Sequence, residues 1–175
     1  MPLQHHCKGF LKWYKFIMSE TLFSSSVVVE STPSAIFEVW KWIQSKLETN
    51  NFSQDDIFAV HLAMEEAFTN AIKHGNRKDP TKKVKIDYLV SLDKIEVTMM
   101  DEGGGFDPED VPDPRYGDNL YKTEGRGLLL MRSYMDVVEF NEQGNRVSMV
   151  RYKEKRHKNT KVKTKNNHLP IEGNS

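Results

Sequence analysis

The segment AMEEAFTNAIKHGN, residues 63–76, constrains the fold more than any other stretch of the chain. Together with the residues just before it, this segment repeats apolar side chains at the spacing of an α-helix, about 100° per residue. The apolar residues that share one face are Ile57, Val60, Met64, Ala67, Phe68 and Ala71. We expect this face to be the core face of a helix.

A polar stripe runs beside the core face of this helix. Glu66, Asn70 and His74 follow one another at spacings i, i+4 and i+8, and Ala59 and Ala63 lie next to them. The small alanines leave room for another group to approach the helix at the border between core and solvent. That group would meet a carboxylate, an amide and an imidazole. The alternative left open by this helix alone is the ordinary polar side of an amphipathic helix.

Prolines and capping residues predict where the helices begin and end. Pro33, with Thr32 as a cap, opens a first helix that runs to about Thr49. Ser53 begins the second helix, which contains the polar stripe and should end at Gly75.

Alternating apolar residues predict the strands. TLFSSSVVVEST, which stops at a proline, indicates an edge or first strand. Residues 82–92 and the residues from 94 onward predict a hairpin. The segments DVVEF and RVSMVRY predict a closing hairpin.

The second strand of the first hairpin ends with a carboxylate on its inward-facing side. Asp101 comes after Ile95, Val97 and Met99 at the strand period of two, so it should point toward the core side. Burying an unpaired carboxylate is costly, and we therefore expect a hydrogen-bond donor beside it. The glycines at 103–105 indicate backbone that comes close to a ligand. The alternative is that Asp101 only caps a turn.

The segment DEGGGFDPEDVPDPRYGDNLYKTEGRG predicts a long loop, because its glycines and three prolines forbid regular structure. Loops of this length are usually functional lids or disordered. Within it, Arg115, Lys122 and Arg126 can add positive charge for phosphates or be solvated loop residues.

Gly125 and Gly127 lead into a helix predicted over residues 128–135. Free backbone N–H groups at a helix start attract phosphate, although glycine before a helix is also common in plain loops.

Together these parts suit a nucleotide with magnesium. Asp101 would accept a hydrogen bond from the exocyclic amine of a purine, and Asn70 would supply one oxygen to Mg²⁺, with phosphate and water completing its octahedral shell. Glu66 would lie near the terminal phosphate, where a carboxylate that takes a proton contributes roughly 10²–10⁴ in rate. Glu65, about 100° around the helix, should face solvent or have a structural role.

Length and charge limit the classes of function. The 175 residues, 38% of them hydrophobic, fit one domain. The net charge is zero, but residues 153–165 carry seven basic side chains against one acidic, so this +6 segment leaves a −6 body. An acidic body argues against a nucleic-acid groove as the main function. The basic end could contact RNA, a membrane or an acidic partner, or be a solvated, disordered tail.

The single cysteine, Cys7, excludes a disulfide within the chain and fits a cytoplasmic location. No apolar run approaches the roughly 20 residues of a membrane span. We expect an amino-terminal extension over residues 1–20, a domain over 21–153 and a basic disordered tail over 154–175.

Three ordered motifs resemble those of the GHKL ATPases. EAFTNAIKHG at 66–75 resembles their asparagine box, and DEGGGF at 101–106 and GRGL at 125–128 resemble their two glycine boxes. Within this superfamily, the compact spacing and GRGLLLMRSYMDVVEF are most similar to the bacterial anti-sigma factor serine/threonine kinases. The resemblance covers residues 21–153. One departure is Gly144-Asn145-Arg146-Val147, where the family often has Gly-Thr before a valine.

The resemblance implies an α/β two-layer sandwich of the Bergerat type, with helices packed on one face of a mixed, mostly antiparallel sheet and an ATP lid. It implies ATP and Mg²⁺, with Glu66 as the general base, Asn70 as the magnesium ligand and Asp101 as the adenine reader. The other cofactor-binding positions that it implies are His74, Gly103, Gly105, Gly125, Arg126, Gly127 and Leu128.

The resemblance also implies a function and partners. Such kinases phosphorylate a serine on a small STAS-type anti-anti-sigma protein, hold a sigma factor inactive in their other state, and are commonly homodimers. The alternative is a non-catalytic ATP-binding switch that sequesters a protein partner. The presence of Glu66 favours an enzyme, because binding alone needs no base.

Overall fold

The computed structural model describes residues 22–108 and 126–154. These residues form a five-stranded sheet and three α-helices. The strands are β1 (Phe23–Glu30), β2 (Lys83–Val90), β3 (Lys94–Asp101), β4 (Val137–Phe140) and β5 (Arg146–Tyr152). The helices are α1 (Ile36–Thr49), α2 (Gln54–Asn70) and α3 (Gly127–Tyr134). A 3-10 turn at Pro33–Ala35 precedes α1, and a π-turn at Ala71–Gly75 continues α2.

The sheet has the strand order β1-β2-β3-β5-β4. Each pairing between these five strands is antiparallel, whereas the family resemblance implied a mixed sheet. The predicted α/β sandwich is confirmed, as are both hairpins and the edge position of β1. The order makes β3 the central strand, with β2 on one side and β5 on the other. The residues at the end of β3 therefore have a strand on both sides.

The hydrophobic core lies between the helices and one face of the sheet. Alternation buries every second residue along β2, along β3 as far as Met99, and at Val147 and Met149 of β5, and the apolar faces of α1 and α2 cover them. The whole predicted core face of α2 is buried. The largest fully buried side chains include Phe68, Ile43, Leu47, Met64, Ile86, Ile95, Met99 and Met149.

The two predicted helix starts have different outcomes. Thr32 has the extended backbone of a cap, but its side chain makes no capping hydrogen bond, and Pro33 opens a 3-10 turn instead. Ser53 caps α2 as predicted. Its Oγ accepts from the Asp56 N–H at 3.0 Å, and the Asp56 carboxylate accepts from the Ser53 N–H at 3.3 Å. This reciprocal pair is a capping box.

A buried ion pair ties the start of α2 to the end of β5. Asp56 is fully buried, and its Oδ1 accepts a hydrogen bond from Arg151 Nε at 3.0 Å, while Arg151 Nη2 lies 2.9 Å from the same oxygen. The Glu154 N–H donates to its other oxygen at 3.2 Å. Burial alone raises the pKa of the Asp56 carboxyl, but the hydrogen bonds from Ser53, Glu154 and Arg151 outweigh burial and lower it below its ordinary value.

The end of α2 widens into the π-turn. The Asn76 N–H donates to the Ala71 carbonyl at 2.7 Å, and the helical segment ends at Gly75 as predicted. π-turns occur mostly as single turns inside α-helices and are frequent at functional sites. His74 lies within this π-turn, where the α-helical spacing assumed for the polar stripe no longer applies. Among the described residues, no helix is both long and apolar enough to span a bilayer.

Candidate functional site

A cleft opens between the π-turn, the end of β3 and the turn that joins β4 to β5. The cleft is open to solvent, and its space amounts to about 460 Å³ when the open mouth is included. Its polar wall includes Asn70, His74, Asp101 and Asn145. Its apolar lining is formed by Ala67, Ala71, Met99, Met131, Phe140 and Val147. An apolar cleft with a few convergent polar groups is the usual form of a ligand site.

Asp101 supplies the carboxylate of this cleft. The Gly103 N–H donates to its Oδ1 at 2.8 Å, which is the donor that the sequence predicted. The same contact closes a short turn, so Asp101 caps a turn and lines the cleft at once. Burial raises the pKa of this carboxyl, although the Gly103 hydrogen bond and the charge of Lys82 oppose the rise.

Two glycines make room for the Asp101 carboxylate. A Cβ added to Gly75 would overlap the carboxyl group, and a Cβ added to Gly103 would overlap the carbonyl of Gly75. The carboxylate is therefore held between the π-turn and residues 103–105, which we call the glycine loop. The backbones of Gly75 and Gly103 come so close to it and to each other that only glycine fits at these positions. In contrast, a Cβ on Gly104 would meet open space.

The glycine loop is locked to the turn between β4 and β5. Gly105 and Gly144 have φ values of 79° and 74°, in the left-handed region that favours glycine. A Cβ on Gly105 would overlap the Gln143 carbonyl, and a Cβ on Gly144 would overlap the backbone of Phe106. The Phe106 ring also packs edge-on against Phe140 with centroids 5.4 Å apart. These contacts fix one wall of the cleft.

Asn145 stands where the family often has threonine, and it braces the strand end. The Asp101 N–H donates to its carbonyl at 3.0 Å, and its Nδ2 donates to the Asp101 carbonyl at 3.4 Å. Its Oδ1 accepts from Asn141 Nδ2 at 2.8 Å. The departure from the family pattern thus retains a polar side chain on the cleft wall.

The start of α3 meets the polar stripe of α2. A Cβ on Gly127 would lie 2.7 Å from Glu66 Oε2 and 3.4 Å from Asn70 Nδ2. Asn70 lines the cleft, whereas Glu66 lies beyond the cleft wall, against Gly127. The structure therefore brings Glu66 and Asn70 together at the first residues of α3, and a helix start is a common place for an anion to bind.

Other predicted positions have mixed outcomes. Ala59 and Ala63 are buried by other residues of the protein. The open space that we expected beside the polar stripe at these two positions is therefore filled. Glu65 is exposed as predicted and pairs with His61 at 3.2 Å. Leu128 packs against the hydrophobic core, so its backbone is the part available to a ligand.

Part of the predicted phosphate site falls outside the described residues. Gly125, Arg115, Lys122 and the rest of the expected lid over 109–125 lie there. Arg126 is described and directly precedes α3.

Sequence reasoning missed Asn76, whose side chain is completely buried behind the cleft. Its Nδ2 donates to Ser31 Oγ at 3.2 Å and to the Lys83 carbonyl at 3.0 Å, and its Oδ1 accepts from the Glu102 N–H at 2.9 Å. An asparagine after a helix-ending glycine is typical of an ordinary loop, so the sequence contains no visible signal for this junction.

The cleft offers few ligands to a metal ion. Within residues 22–108 and 126–154, no three His, Cys, Asp or Glu side chains cluster in a way that could hold one. A hard ion such as Mg²⁺ commonly takes one or two protein oxygens and completes its shell with phosphate and water. The single amide of Asn70 fits that kind of site.

Comparisons with known proteins identify relatives of this chain. The family described as the histidine kinase-like ATPase domain matches residues 29–151. The serine-protein kinase RsbW of Bacillus licheniformis is 33% identical over an alignment of 111 residues, and the match covers 58% of this chain and 68% of that protein. The RsbW of Bacillus subtilis strain 168 is 32% identical over 108 residues, with 58% and 68% covered. The anti-sigma F factor of Oceanobacillus iheyensis is 32% identical over 104 residues, with 57% and 71% covered.

The matched residues include both layers of the sandwich and every residue named here as lining the cleft. The three sequence motifs, the antiparallel sheet with helices on one face and these relatives agree. The chain belongs to the histidine kinase-like ATPase family, in the branch that resembles the anti-sigma serine kinases.

Proposed function

We propose that this chain is a protein kinase that transfers a phosphoryl group from ATP to a serine or threonine of a STAS-type anti-anti-sigma protein. In its other state it would bind and sequester a sigma factor, as a cytoplasmic homodimer. Membership in an ATPase family implies the use of ATP. The names of the relatives, serine-protein kinase and anti-sigma F factor, support the two roles.

One observation carries the proposal. Asp101 and Asn70 line the same apolar cleft. Glu66 lies beside Gly127, the first residue of α3. A purine would enter the apolar part, and the Asp101 carboxylate would accept a hydrogen bond from its exocyclic amine. Hydrogen bonds to an ionised acceptor are stronger than neutral ones, so this contact would favour a purine with an exocyclic amine at that position.

The opposite end of the site would hold the phosphates. The amide oxygen of Asn70 would bind Mg²⁺, and the first N–H groups of α3, at Gly127 and Leu128, would face phosphate oxygens. When bound, Mg-ATP supplies the phosphoryl group and a metal ion that offsets its charge. Glu66 would accept the proton of the attacking hydroxyl.

A second candidate is an ATP-binding switch without phosphotransfer. Glu66 lies against Gly127 rather than on the cleft wall, and this observation favours the second candidate. A base needs to come within hydrogen-bond reach of the hydroxyl that it deprotonates.

The test is incubation with labelled Mg-ATP and candidate STAS proteins, followed by mapping of the phosphorylated residue. We expect Glu66→Gln to lower the transfer rate by roughly 10²–10⁴ while ATP affinity is retained. The matched control is Glu65→Gln, which changes the neighbouring exposed carboxylate and should retain both activities. ATP binding with no transfer to any candidate protein would favour the switch.

A further inference from the structure

Asn76 joins three separate segments of the chain behind the cleft. It contacts Ser31 after β1, Lys83 at the start of β2 and Glu102 after β3. The side chain is completely buried, and both polar atoms have partners. Burying an amide without its hydrogen bonds is costly, so these four residues should behave as one unit.

The junction fixes the two segments that enclose the Asp101 carboxylate. Asn76 follows Gly75, which contacts the carboxylate from the π-turn, and it binds the N–H of Glu102, which follows Asp101. The Glu102 carboxylate also accepts from the Lys83 N–H at 2.6 Å. The hydrogen bond from Glu102 to Asn76 therefore sets the distance between the π-turn and the end of β3.

We propose that Asn76 is a positioning residue for purine recognition, because it holds the Asp101 carboxylate where that group can contact the exocyclic amine. The inference rests on the proposed function, in which Asp101 reads adenine. Hydrogen bonds weaken steeply with poor distance and angle. Loss of the junction should therefore reduce the discrimination between bases more than it reduces binding of the phosphates.

The test compares ATP with inosine triphosphate, which lacks the exocyclic amine. Affinities for the two magnesium nucleotides would be measured by calorimetry on the wild-type chain and on Asn76→Ala. We expect the wild type to prefer ATP by about ten- to a hundredfold, the range for a hydrogen bond to a charged group. In Asn76→Ala this ratio should fall toward one.

Asn50→Ala is the matched control. Asn50 is also buried, and its Nδ2 donates to the Lys46 carbonyl at 2.8 Å, but it lies at the end of α1 and does not line the cleft. Both substitutions should lower the urea midpoint of unfolding. Only the substitution at Asn76 should change the ratio of the two affinities, which separates positioning from general destabilisation.

A measurement on the wild-type chain covers the case in which Asn76→Ala does not fold. Nuclear magnetic resonance can follow the side-chain NH₂ protons of Asn76, which should shift when ATP binds and shift less with inosine triphosphate. An unchanged Asn76 signal at saturating ATP would overturn the proposal, as would a folded Asn76→Ala that keeps the wild-type ratio. A wild-type chain with no preference for ATP would instead contradict the role of Asp101.

Discussion

One carboxylate lies near each end of α2, Asp56 in its first turn and Asp101 of β3 beside the π-turn, and the protein treats them in opposite ways. At the amino-terminal end, Asp56 is surrounded by donors from Ser53, Glu154 and Arg151, and its pKa is lowered. At the other end, Asp101 has a backbone donor from Gly103, and burial raises its pKa. The Asp56 carboxylate accepts its hydrogen bonds from donors within the protein. The Asp101 carboxylate lines the cleft, where a ligand can reach it. The difference separates a structural site from a binding site.

The largest effect should come from removing the charge of the structural carboxylate. Asp56→Asn leaves Arg151 without its main partner, and we expect the free energy of unfolding to fall by about 3 kcal/mol. Asp101→Asn removes a charge that burial disfavours, so its unfolding free energy should stay within about 1 kcal/mol of the wild type. Urea unfolding at pH 7 measures both. Equal losses in the two variants would remove the distinction between the two ends of α2.

The next effect concerns the space that Gly75 provides. In Gly75→Ala the added methyl displaces the Asp101 carboxylate, so ATP affinity should fall by about ten- to a hundredfold. Gly104→Ala is the control, because its methyl would meet open space, and its affinity should stay near the wild-type value. Calorimetric titration with Mg-ATP measures both. A Gly75→Ala chain with unchanged affinity would show that the carboxylate position is not critical.

The pH dependence should also differ between the two carboxylates. The stabilisation from Asp56 is present above the unfolded pKa of about 3.9 and is lost as pH falls through its lowered folded pKa. For Asp101, stability instead falls as pH rises from that unfolded pKa through its raised folded pKa. ATP affinity should be lost as pH falls through the raised pKa, because the protonated carboxyl is a weaker acceptor.

Urea midpoints and ATP affinities measured across pH 3–7 would separate these effects. In Asp101→Asn, the ATP affinity should lose the part of its pH dependence that comes from this carboxyl. The same pH dependence in the wild type and in Asp101→Asn would assign the titration to another group.

The smallest effect is expected at Gly127. A methyl there would meet the flexible end of Glu66, which can turn away at a cost of about 1 kcal/mol. We therefore expect Gly127→Ala to slow phosphotransfer by roughly fivefold and to leave the unfolding free energy nearly unchanged. Transfer assays and urea unfolding measure the two quantities. A rate equal to that of the wild type would show that this contact does not control Glu66.

Local patterns predicted those parts of the site that depend on one element. The inward side of Asp101 follows from the strand period of two, and the polar stripe follows from helical spacing. Asn76 could not be predicted, because its partners Ser31 and Glu102 are 45 and 26 residues away in sequence. The π-turn at Ala71–Gly75 was missed for a different reason, since the apolar pattern does not distinguish a π-turn from another helical turn.

The central claim is that Asp101 reads the adenine of ATP from the end of β3. Calorimetric titration with ATP in the presence of magnesium tests it directly on the wild-type chain and on Asp101→Asn. We expect the wild type to bind ATP and the variant to bind it at least about tenfold more weakly. No binding by the wild type, or equal affinities for the two chains, would contradict the claim.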